Sequence, residues 1–540
     1  MKILALVFAA ALAATAAVGE RRMLVRRGRA GVKKMNKDFW LSKSAAEFSV
    51  SIPNIFSKKN KNGKGRRKKK KTIEAMAKTK KTEENASTKQ QEATSHADKG
   101  GDFFSTIKPG DNKFTILLYD NVNLLDVFGP MQMILSPVGL RHFELTTCAM
   151  TPPCKDSVQN SVCQTNGPTI IADFSKEDCP TEFTTLVVPG GKGAQAAAKS
   201  DLQWLADRVH LSKKVVTFGT GGNILEQVIG ANHGIAEHPK FLSVGGGTIA
   251  TDSILKFIDA YPIAYDGKVE KVKKYAEYTP APTELALEPI APPEPYKKTP
   301  KIAVLIYDGF DVLDVFGPIS MFSSAGIEIV MCSVPPLGMP KQRRFKHRTY
   351  SGSSSPYVVA DYGLEDCPPT EYLFVPGGAG TGKLYDQHFI EEVKPEVFNR
   401  WKTTFFNQLR KRVDSSKGVL TVCTGSLLLG ASGVLDGIKA TTNKMFWCSA
   451  VDDLNKEKSE DDRIEWQPAA RWVVDSKGNT KFWTSSGVSA GTDMSLAFIE
   501  NVEGDSFRKE RARFAAWENK YNGNDESEND PFRKQWRHGW

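Results

Sequence analysis

Short apolar runs alternate with longer amphipathic stretches along most of the chain after its first hundred or so residues. In the second half the apolar runs are Ile302–Tyr307, Ile327–Cys332, Tyr372–Val375 and Val419–Val422, and a helical stretch covers Ile390–Val413. Such short apolar runs predict strands that are buried on both faces, because they leave no polar side for solvent. Their alternation with helices predicts an α/β fold with a mainly parallel, doubly wound sheet.

The blocks of this pattern occur twice in the same order. Four pairs of segments match: Phe114–Pro130 with Ile302–Pro318, Ile171–Pro180 with Val359–Pro368, Val187–Gly191 with Phe374–Gly378, and Val216–Gly221 with Leu420–Gly425. Co-linear matches of this kind predict two tandem copies of one domain. We place the first copy at 110–277 and the second at 301–535, joined by a Pro-rich linker at 278–300 whose prolines favour an extended spacer.

The run Val419–Val422 ends at Cys423, and the small residues that follow lead into the apolar segment Leu427–Leu429. A strand that turns directly into a helix around one reactive side chain is the geometry of a nucleophile elbow. It places Cys423 at the carboxyl end of a parallel sheet, where open α/β folds bind ligands. Because a helix N-terminus favours negative charge, we expect a lowered thiol pKa. The alternative is a small apolar cysteine in the core.

The first copy has Gly219 where the second has Cys423. Glycine accepts the strained backbone of an elbow but cannot act as a nucleophile. The first copy is also shorter beyond this point, since Gly219 and Asp252 are 33 residues apart whereas Cys423 and Asp493 are 70 apart. We therefore predict that the first domain is catalytically inactive and lacks part of a pocket wall.

Four further residues of the second copy are expected to lie near Cys423 at the ends of strands. Asp314 follows the first strand, and a carboxyl beside a thiolate should have a raised pKa, so it is the candidate general acid/base. We expect the N–H groups of Gly377, Gly378 and Thr424 to be open and to form an oxyanion hole. A helix N-cap is the alternative role for Asp314, and a strand-ending turn for the glycines. The degenerate counterparts in the first copy are Asp126, Gly191 and Gly219.

The remaining histidines and cysteines give weaker signals. The eight histidines lack metal-ligand spacing, and no glycine pair has a phosphate-loop pattern, so we expect no metal and no cofactor. His347, in a basic loop, is expected to be solvated. We interpret Cys332, Cys367 and Cys448 as structural thiols, with Cys148 and Cys179 at the matching places of the first copy, and Cys154 and Cys163 as a pair if the compartment is oxidising.

The basic charge of the chain is confined to its N-terminal part. The formal net charge is +11, and residues 20–100 alone carry 24 Lys and Arg against eight Asp and Glu, so the remaining body is mildly acidic. This excludes nucleic-acid binding through the bulk charge of the folded part. We predict a disordered basic arm at 20–105, in which the run Lys64–Lys71 is a solvated segment and a candidate weak polyanion-binding or nuclear-localisation patch.

The first residues have the composition of a secretory signal peptide. Leu4–Val18 is almost entirely apolar, and it is shorter than the roughly 20 residues of a membrane span. We assign 1–19 to a signal peptide, expect a secretory or extracellular location and expect no membrane span in the mature chain. The sequon at Asn85 agrees with secretion. Because the arginines follow the apolar run, an organelle-targeting leader and an uncleaved anchor are the alternatives.

Five motifs of the second copy resemble the ThiJ/PfpI superfamily, which has a flavodoxin-like, class I glutamine amidotransferase-like fold. They are Leu313–Pro318, Val375–Gly378, Val422–Ser426, Ala440–Lys444 and Thr484–Asp493. The first copy resembles the same superfamily more weakly. The resemblance implies that the two domains pair within one chain, because members of this family commonly dimerise.

Within the superfamily, Cys423-Thr424-Gly-Ser together with Asp314 resembles the isonitrile hydratase branch. The branch implies addition of water to an isocyanide carbon, with Cys423, Asp314 and Thr424 in the catalytic site. Protease-like members have a His where this chain has Thr424, and glyoxalase-type members have a His where it has Asn443. We assign Asn443, Gly377 and Gly378 to substrate binding.

The sequence thus predicts a cysteine-dependent, cofactor-independent hydratase that acts on a small electrophilic molecule. A non-catalytic redox sensor, in which Cys423 is the oxidisable thiol, is an alternative from another class. Two further candidate functions are a glyoxalase-like or deglycase activity and an assembly role of the basic arm.

Overall fold

The computed structural model describes residues 101–136, 142–154, 158–229, 240–262, 267–280, 289–334, 337, 346–348, 356–390 and 393–534. The predicted signal peptide and most of the predicted basic arm lie outside these residues. The end of that arm is folded, however: Gly101–Ser105 is a helix (α1) and Phe103 is buried. The prediction of disorder up to residue 105 is therefore wrong at its end, because Phe103 packs against Phe257, with 6.4 Å between the ring centroids.

The first half of the chain continues with seven strands and six helices within the described residues. In order they are β1 (Lys113–Leu118), α2 (Leu124–Ile134), β2 (Glu144–Ala149), β3 (Ser161–Cys163), β4 (Thr169–Ile171), β5 (Thr185–Val188), α3 (Ala194–Ser200), α4 (Leu202–Leu211), β6 (Lys214–Phe218), α5 (Gly221–Ile229), β7 (Phe241–Val244), α6 (Thr248–Ala260) and α7 (Lys268–Tyr275).

The second half repeats this order and adds to it. Its elements are β8 (Lys301–Ile306), α8 (Val312–Ser324), β9 (Glu328–Ser333), β10 (Lys346–Arg348), β11 (Tyr357–Val359), β12 (Tyr362–Gly363), β13 (Tyr372–Val375), α9 (Thr381–Tyr385), a 3₁₀ turn (Gln387–Phe389), α10 (Pro395–Asp414), β14 (Gly418–Thr421), α11 (Gly425–Ala431), β15 (Lys439–Ala440), α12 (Trp447–Asn455), β16 (Glu465–Trp466), β17 (Trp472–Lys477), β18 (Thr480–Ser485), α13 (Ala490–Ile499) and α14 (Arg508–Glu518).

Each half forms a mainly parallel sheet with the same strand order. The first sheet has five parallel strands in the order β2-β1-β5-β6-β7, which is the flavodoxin-like order. The second has seven strands in the order β12-β9-β8-β13-β14-β18-β17, and its five central strands repeat that order. The predicted α/β fold is confirmed. The insertion after β14, which ends in the antiparallel strand β17, accounts for the longer second copy.

The two halves pack on each other through α2 and α8. The rings of Phe128 and Phe316 stack with their centroids 3.5 Å apart and their planes 4° apart, and both side chains are fully buried. A second connection is a four-stranded sheet in the order β10-β11-β4-β3, in which β11 of the second half pairs antiparallel with β4 of the first. The halves therefore share both a helix interface and a sheet.

Within the described residues, three disulfides link six of the cysteines. Cys148–Cys179 and Cys332–Cys367 occupy equivalent places in the two halves, and Cys154–Cys163 closes a short loop in the first. The interpretation of the first two pairs as structural thiols is therefore wrong: the Cα atoms of each pair lie 5.6 and 5.8 Å apart, within the range that a disulfide spans. The side chain of Cys448 lies outside the described residues.

His347 also differs from expectation. His347 is buried rather than solvated, because it lies in β10 and its Nε2 is 2.7 Å from the hydroxyl of Ser333. The described end of the linker is anchored to the second domain, where the guanidinium of Arg511 lies 3.6 Å from the ring centroid of Tyr296. No helix in the described part of the chain is long and apolar enough to span a membrane.

We predict that the stacked pair holds the two halves together. Replacing Phe316 with Ala should lower the free energy of unfolding by about 3–5 kcal/mol, because a fully buried aromatic ring leaves a cavity. A double-mutant cycle with Phe128→Ala, measured by urea denaturation, should give a coupling energy of about 0.5–1.5 kcal/mol. Phe507, which is 41% exposed, is the control, and its replacement with Ala should change stability by about 0.5 kcal/mol or less. Additive effects of the two interface substitutions would contradict the prediction.

Candidate active site

Cys423 lies in a sharp turn between β14 and α11. Its φ is +58°, a left-handed backbone angle that is unusual for a residue with a side chain. The turn is possible because the next helix begins with glycine: a Cβ on Gly425 would lie 2.3 Å from the carbonyl oxygen of Val375. β14 lies between β13 and β18, so the turn places Cys423 at the carboxyl end of the parallel sheet. This is the elbow geometry that the sequence predicts.

The thiol of Cys423 lies in a buried, acidic environment that disfavours the thiolate, although its place before a helix had suggested that the thiolate would be favoured. Cys423 is only 4% exposed. Its pKa is raised well above the usual value, first by burial and then by the carboxyls of Asp314, Asp311 and Glu277, while the N–H of Thr424 lowers it. The expectation of a lowered pKa is therefore wrong, because burial and three nearby acids outweigh the end of a short helix. The sulfur carries its proton at neutral pH.

Asp314 lies in the first turn of α8 and is fully buried. Its Oδ2 accepts the N–H of Gly377 at 3.0 Å, and its Oδ1 has no hydrogen-bond partner among the described residues. Its pKa is raised as expected, but burial is the main cause and Asp311 the next, whereas the Cys423 thiol lowers it. The N-cap of the helix is Asp311, which accepts the N–H of Leu313 at 3.3 Å. The alternative role of Asp314 as the N-cap is therefore wrong.

The N–H groups of the glycine pair are not open. The N–H of Gly377 donates to Asp314, and that of Gly378 donates to the hydroxyl of Thr424 at 3.0 Å. The predicted oxyanion hole from these two groups is therefore wrong, because both N–H groups hold the site's own side chains. Glycine is required at 377, since a Cβ there would lie 2.5 Å from the nitrogen of Thr424 and 2.8 Å from Cβ of Cys423. Thr424 supplies the one predicted N–H group that acts on the sulfur.

Asn443 is buried, and its Oδ1 accepts the N–H of Met445 at 2.9 Å. Its oxygen therefore stabilises a turn, and substrate binding by Asn443 stays a prediction. Two residues that the sequence analysis missed act on the elbow: the hydroxyls of Thr442 and Ser426 each donate to the carbonyl oxygen of Cys423 at 3.0 Å. Both lie in the motifs Val422–Ser426 and Ala440–Lys444, in which the sequence analysis singled out other residues. Their hydrogen bonds hold the strained backbone of the elbow in place.

The first half keeps the same frame without the thiol. Gly219 has a φ of +50°, and the N–H of Gly191 donates to the hydroxyl of Thr220 at 2.8 Å, as the Gly378 N–H does to its threonine. The carboxyl of Asp126 differs from its counterpart, because it accepts from Gly190 N at 3.0 Å and from Gly247 N at 2.5 Å. Burial raises the pKa of Asp126 to about 6. This carboxyl has a partner on each oxygen, whereas Asp314 has one oxygen that finds no partner in the described part of the chain.

Two residues of the first half enter the site of the second, and sequence reasoning missed both. Gln132 in α2 donates from Nε2 to Oδ2 of Asp311 at 3.2 Å and accepts the N–H of Leu313 at 3.3 Å. Glu277 is fully buried, and its Oε1 accepts the N–H of Lys444 at 2.8 Å. No local pattern marks either residue, because each acts on a part of the chain that lies more than 160 positions away. Within the described residues, no cluster of three or more His, Cys, Asp or Glu could hold a metal ion.

The comparison with protein families locates a match in the second half of the chain. Residues 300–501 match the model of the DJ-1/PfpI family. An isonitrile hydratase from Pseudomonas putida is 28% identical over 207 residues, which cover 38% of this chain and 72% of that protein. Among solved structures, a ThiJ/PfpI family protein from Pseudomonas syringae is 25% identical with a TM-score of 0.31, over 44% of this chain and 85% of that one. Drosophila melanogaster DJ-1beta is 14% identical with a TM-score of 0.30, over 42% and 100%.

We predict that Cys423 titrates above the pH of an ordinary cysteine, whose pKa is about 8.5. The rate of alkylation by iodoacetamide, followed on the Cys423 peptide by mass spectrometry, should therefore rise with a midpoint above that pH. Asp314→Asn should lower the midpoint, because it removes the negative charge that disfavours the thiolate. The same peptide in urea serves as the control and should titrate normally. A native midpoint at or below the one in urea would contradict the raised pKa.

Proposed function

Because residues 300–501 form a DJ-1/PfpI family domain, we propose that this domain is a cysteine-dependent hydratase that converts a small isocyanide to an N-substituted formamide. The observation that carries the proposal is a buried thiol that keeps its proton beside a carboxyl with one unpartnered oxygen. The relative named isonitrile hydratase supports this choice of substrate class.

The protonated thiol suits the first step of this chemistry. An isocyanide carbon can form two new bonds at once, one to sulfur and one to hydrogen. In the proposed step the S–H bond of Cys423 breaks, the sulfur bonds to the carbon, and Asp314 passes the proton to the same carbon. The product is a thioimidate in which the carbon is doubly bonded to nitrogen. The N–H of Thr424 stabilises the negative charge that develops on sulfur.

Water completes the reaction. It adds to the carbon of the C=N bond, while Asp314 takes a proton from the water and the nitrogen gains one. The C–S bond then breaks as the carbonyl forms, and the sulfur of Cys423 recovers its hydrogen. The sum is one isocyanide and one water to one formamide, with no oxidant or reductant.

The first domain is proposed to be inactive. It has Gly219 in place of the nucleophile, and both oxygens of Asp126 accept backbone N–H groups. Its proposed role is to pair with the second domain within the chain, which the stacked rings of Phe128 and Phe316 support.

The other functions fit the site less well. A redox sensor needs a thiolate that reacts readily, whereas Cys423 is buried and keeps its proton. A glyoxalase-like or deglycase activity lacks the expected histidine, since Asn443 stands at that position.

A secretory or extracellular location is part of the proposal. It is supported by the three disulfides, which persist in oxidising compartments. The apolar character of Leu4–Val18 gives the same indication.

The function is tested by incubating the purified full chain with a panel of simple alkyl and aryl isocyanides and measuring formamide by mass spectrometry. Cys423→Ser should lower turnover by on the order of 1000-fold or more, because the serine oxygen is a far weaker nucleophile at this position. Gly219→Ser, which places the same side chain at the equivalent elbow of the first half, should leave turnover unchanged. If folded wild-type protein hydrates no isocyanide of the panel, the proposed hydratase function is wrong.

The inactive first domain is tested by moving the thiol. A Cβ on Gly219 would lie 3.4 Å from Oδ2 of Asp126, which is ordinary van der Waals contact, so the elbow has room for a cysteine. The double variant Gly219→Cys/Cys423→Ser should nevertheless hydrate no isocyanide, because both oxygens of Asp126 are held by backbone N–H groups. Recovery of turnover in this variant would show that the first domain lacks only its nucleophile.

A further inference from the structure

Glu277 and Lys520 occupy equivalent positions at the ends of the two halves. Each follows the last helix of its half and has a left-handed backbone, with φ of +41° and +50° respectively. Each precedes a buried tyrosine, Tyr278 or Tyr521, whose hydroxyl donates to an aspartate of the same half at 2.8 Å. The backbone is thus repeated, but one position carries an acid and the other a base.

The backbone carbonyl oxygen of each of these two residues accepts a hydrogen bond from the other half, but only the side chain of the acid enters the other half's site. Glu277 is fully buried in the second half, where its carbonyl oxygen accepts the hydroxyl of Ser489. Gly487 makes room for it, because a Cβ at that position would lie 2.1 Å from Cδ of Glu277. Lys520 is only partly buried, and its Nζ lies 4.5 Å from the ring centroid of Trp517 on its own helix.

One oxygen of Glu277 has no partner. Oε1 accepts the N–H of Lys444, whereas Oε2 is buried without a hydrogen-bond partner in the described part of the chain. A polar atom of this kind is costly to bury, so its retention near the thiol points to a role in the site. The carboxyl lies near the elbow, because it accepts the N–H of Lys444, two residues after Thr442, whose hydroxyl donates to the carbonyl oxygen of Cys423. The charge of Glu277 also raises the pKa of both Cys423 and Asp314.

Three other charged groups act on this carboxyl, from the elements packed against it. They are Asp530 of the C-terminal tail, Lys444 and Arg471. Burial and Asp530 raise the pKa of Glu277 to about 7, and the two cations oppose that rise. The carboxyl therefore changes its charge close to neutral pH.

Gln132 shows the same one-sided pattern. It bonds to Asp311, the N-cap of the helix that carries Asp314. The equivalent residue in the second half is Ser320, whose hydroxyl donates to the carbonyl oxygen of Phe316 on its own helix. Polar side chains thus extend from the first half into the site of the second. The side chains of the counterparts, Ser320 and Lys520, contact helices of their own half.

We propose that Glu277 of the first half is a positioning residue of the site in the second half, where it sets the protonation of the Cys423–Asp314 pair. When Glu277 is neutral it adds no repulsion, and the thiolate and the Asp314 carboxylate form more easily. When it ionises, both groups hold their protons more tightly. The inference deepens the proposed function and rests on it for the reaction, but the link between Glu277 and the thiol is independent of any substrate.

The experiment compares the full chain with Glu277→Gln and with the matched variant Lys520→Gln. Glutamine keeps an oxygen that can accept the N–H of Lys444 but cannot ionise. Alkylation of the Cys423 peptide by iodoacetamide is measured from pH 6 to pH 10. Glu277→Gln should raise the rate at pH 8 by about tenfold, the effect of removing one nearby like charge, and Lys520→Gln should leave the rate unchanged. Equal rates in wild type and Glu277→Gln, or equal changes in both variants, would overturn the proposal.

Two further measurements separate the possible failures. Circular dichroism confirms that each variant is folded, and Glu277→Asp, which keeps an ionisable group, should restore the wild-type pH dependence if Glu277→Gln is unstable. The pH profile of isocyanide turnover should have a limb near pH 7 in wild type that Glu277→Gln lacks. If wild type hydrates no isocyanide, the proposed function fails, yet the alkylation rates still decide whether Glu277 acts on Cys423.

Discussion

The constraint on which the site depends is the burial of several acids around one thiol. Asp314, Asp311 and Glu277 all raise the pKa of Cys423, and the first of them retains an oxygen without a partner among the described residues. Ionised groups are costly to bury, so the cluster is compatible with folding only when it keeps protons or finds hydrogen-bond donors. The N–H of Gly377 is one such donor. A sulfur that holds its proton in this setting has different chemistry from an exposed thiolate.

The same constraint explains why the two halves differ. In the first half the acid is satisfied by two backbone N–H groups, from Gly190 and Gly247, and no sulfur is present at the elbow. The backbone there packs closely against Asp126. Glycine is required at position 246, because a Cβ there would lie 2.6 Å from Oδ1 of Asp126. In the second half the Oδ1 of Asp314 has no hydrogen-bond partner among the described residues. The first half thus differs from the second in two ways: it lacks the thiol, and both oxygens of its acid accept backbone N–H groups.

Duplication followed by divergence also changes what each half supplies. A pair of identical domains would present the same side chains to both sites. Here Gln132 and Glu277 reach into the second half, whereas Ser320 and Lys520 do not reach in the same way into the first. The stacked rings of α2 and α8 lie at the same interface between the halves. The first half is therefore part of the second half's site, even without a nucleophile of its own.

The sequence alone determined the α/β class, the repeated blocks and the elbow at Cys423, because these depend on local patterns: apolar runs, recurring segments and a strand-to-helix junction. Tertiary structure decided the rest. It joined in disulfides four cysteines that the sequence predicts to be free thiols, and it gave the N–H groups of Gly377 and Gly378 hydrogen-bond partners. It also raised the pKa of Cys423, which the sequence predicts to be lowered. It placed Glu277, which is distant in sequence, beside Lys444 in the second half. A pKa and a hydrogen bond depend on every group within a few ångströms, and those groups come together only when the chain folds.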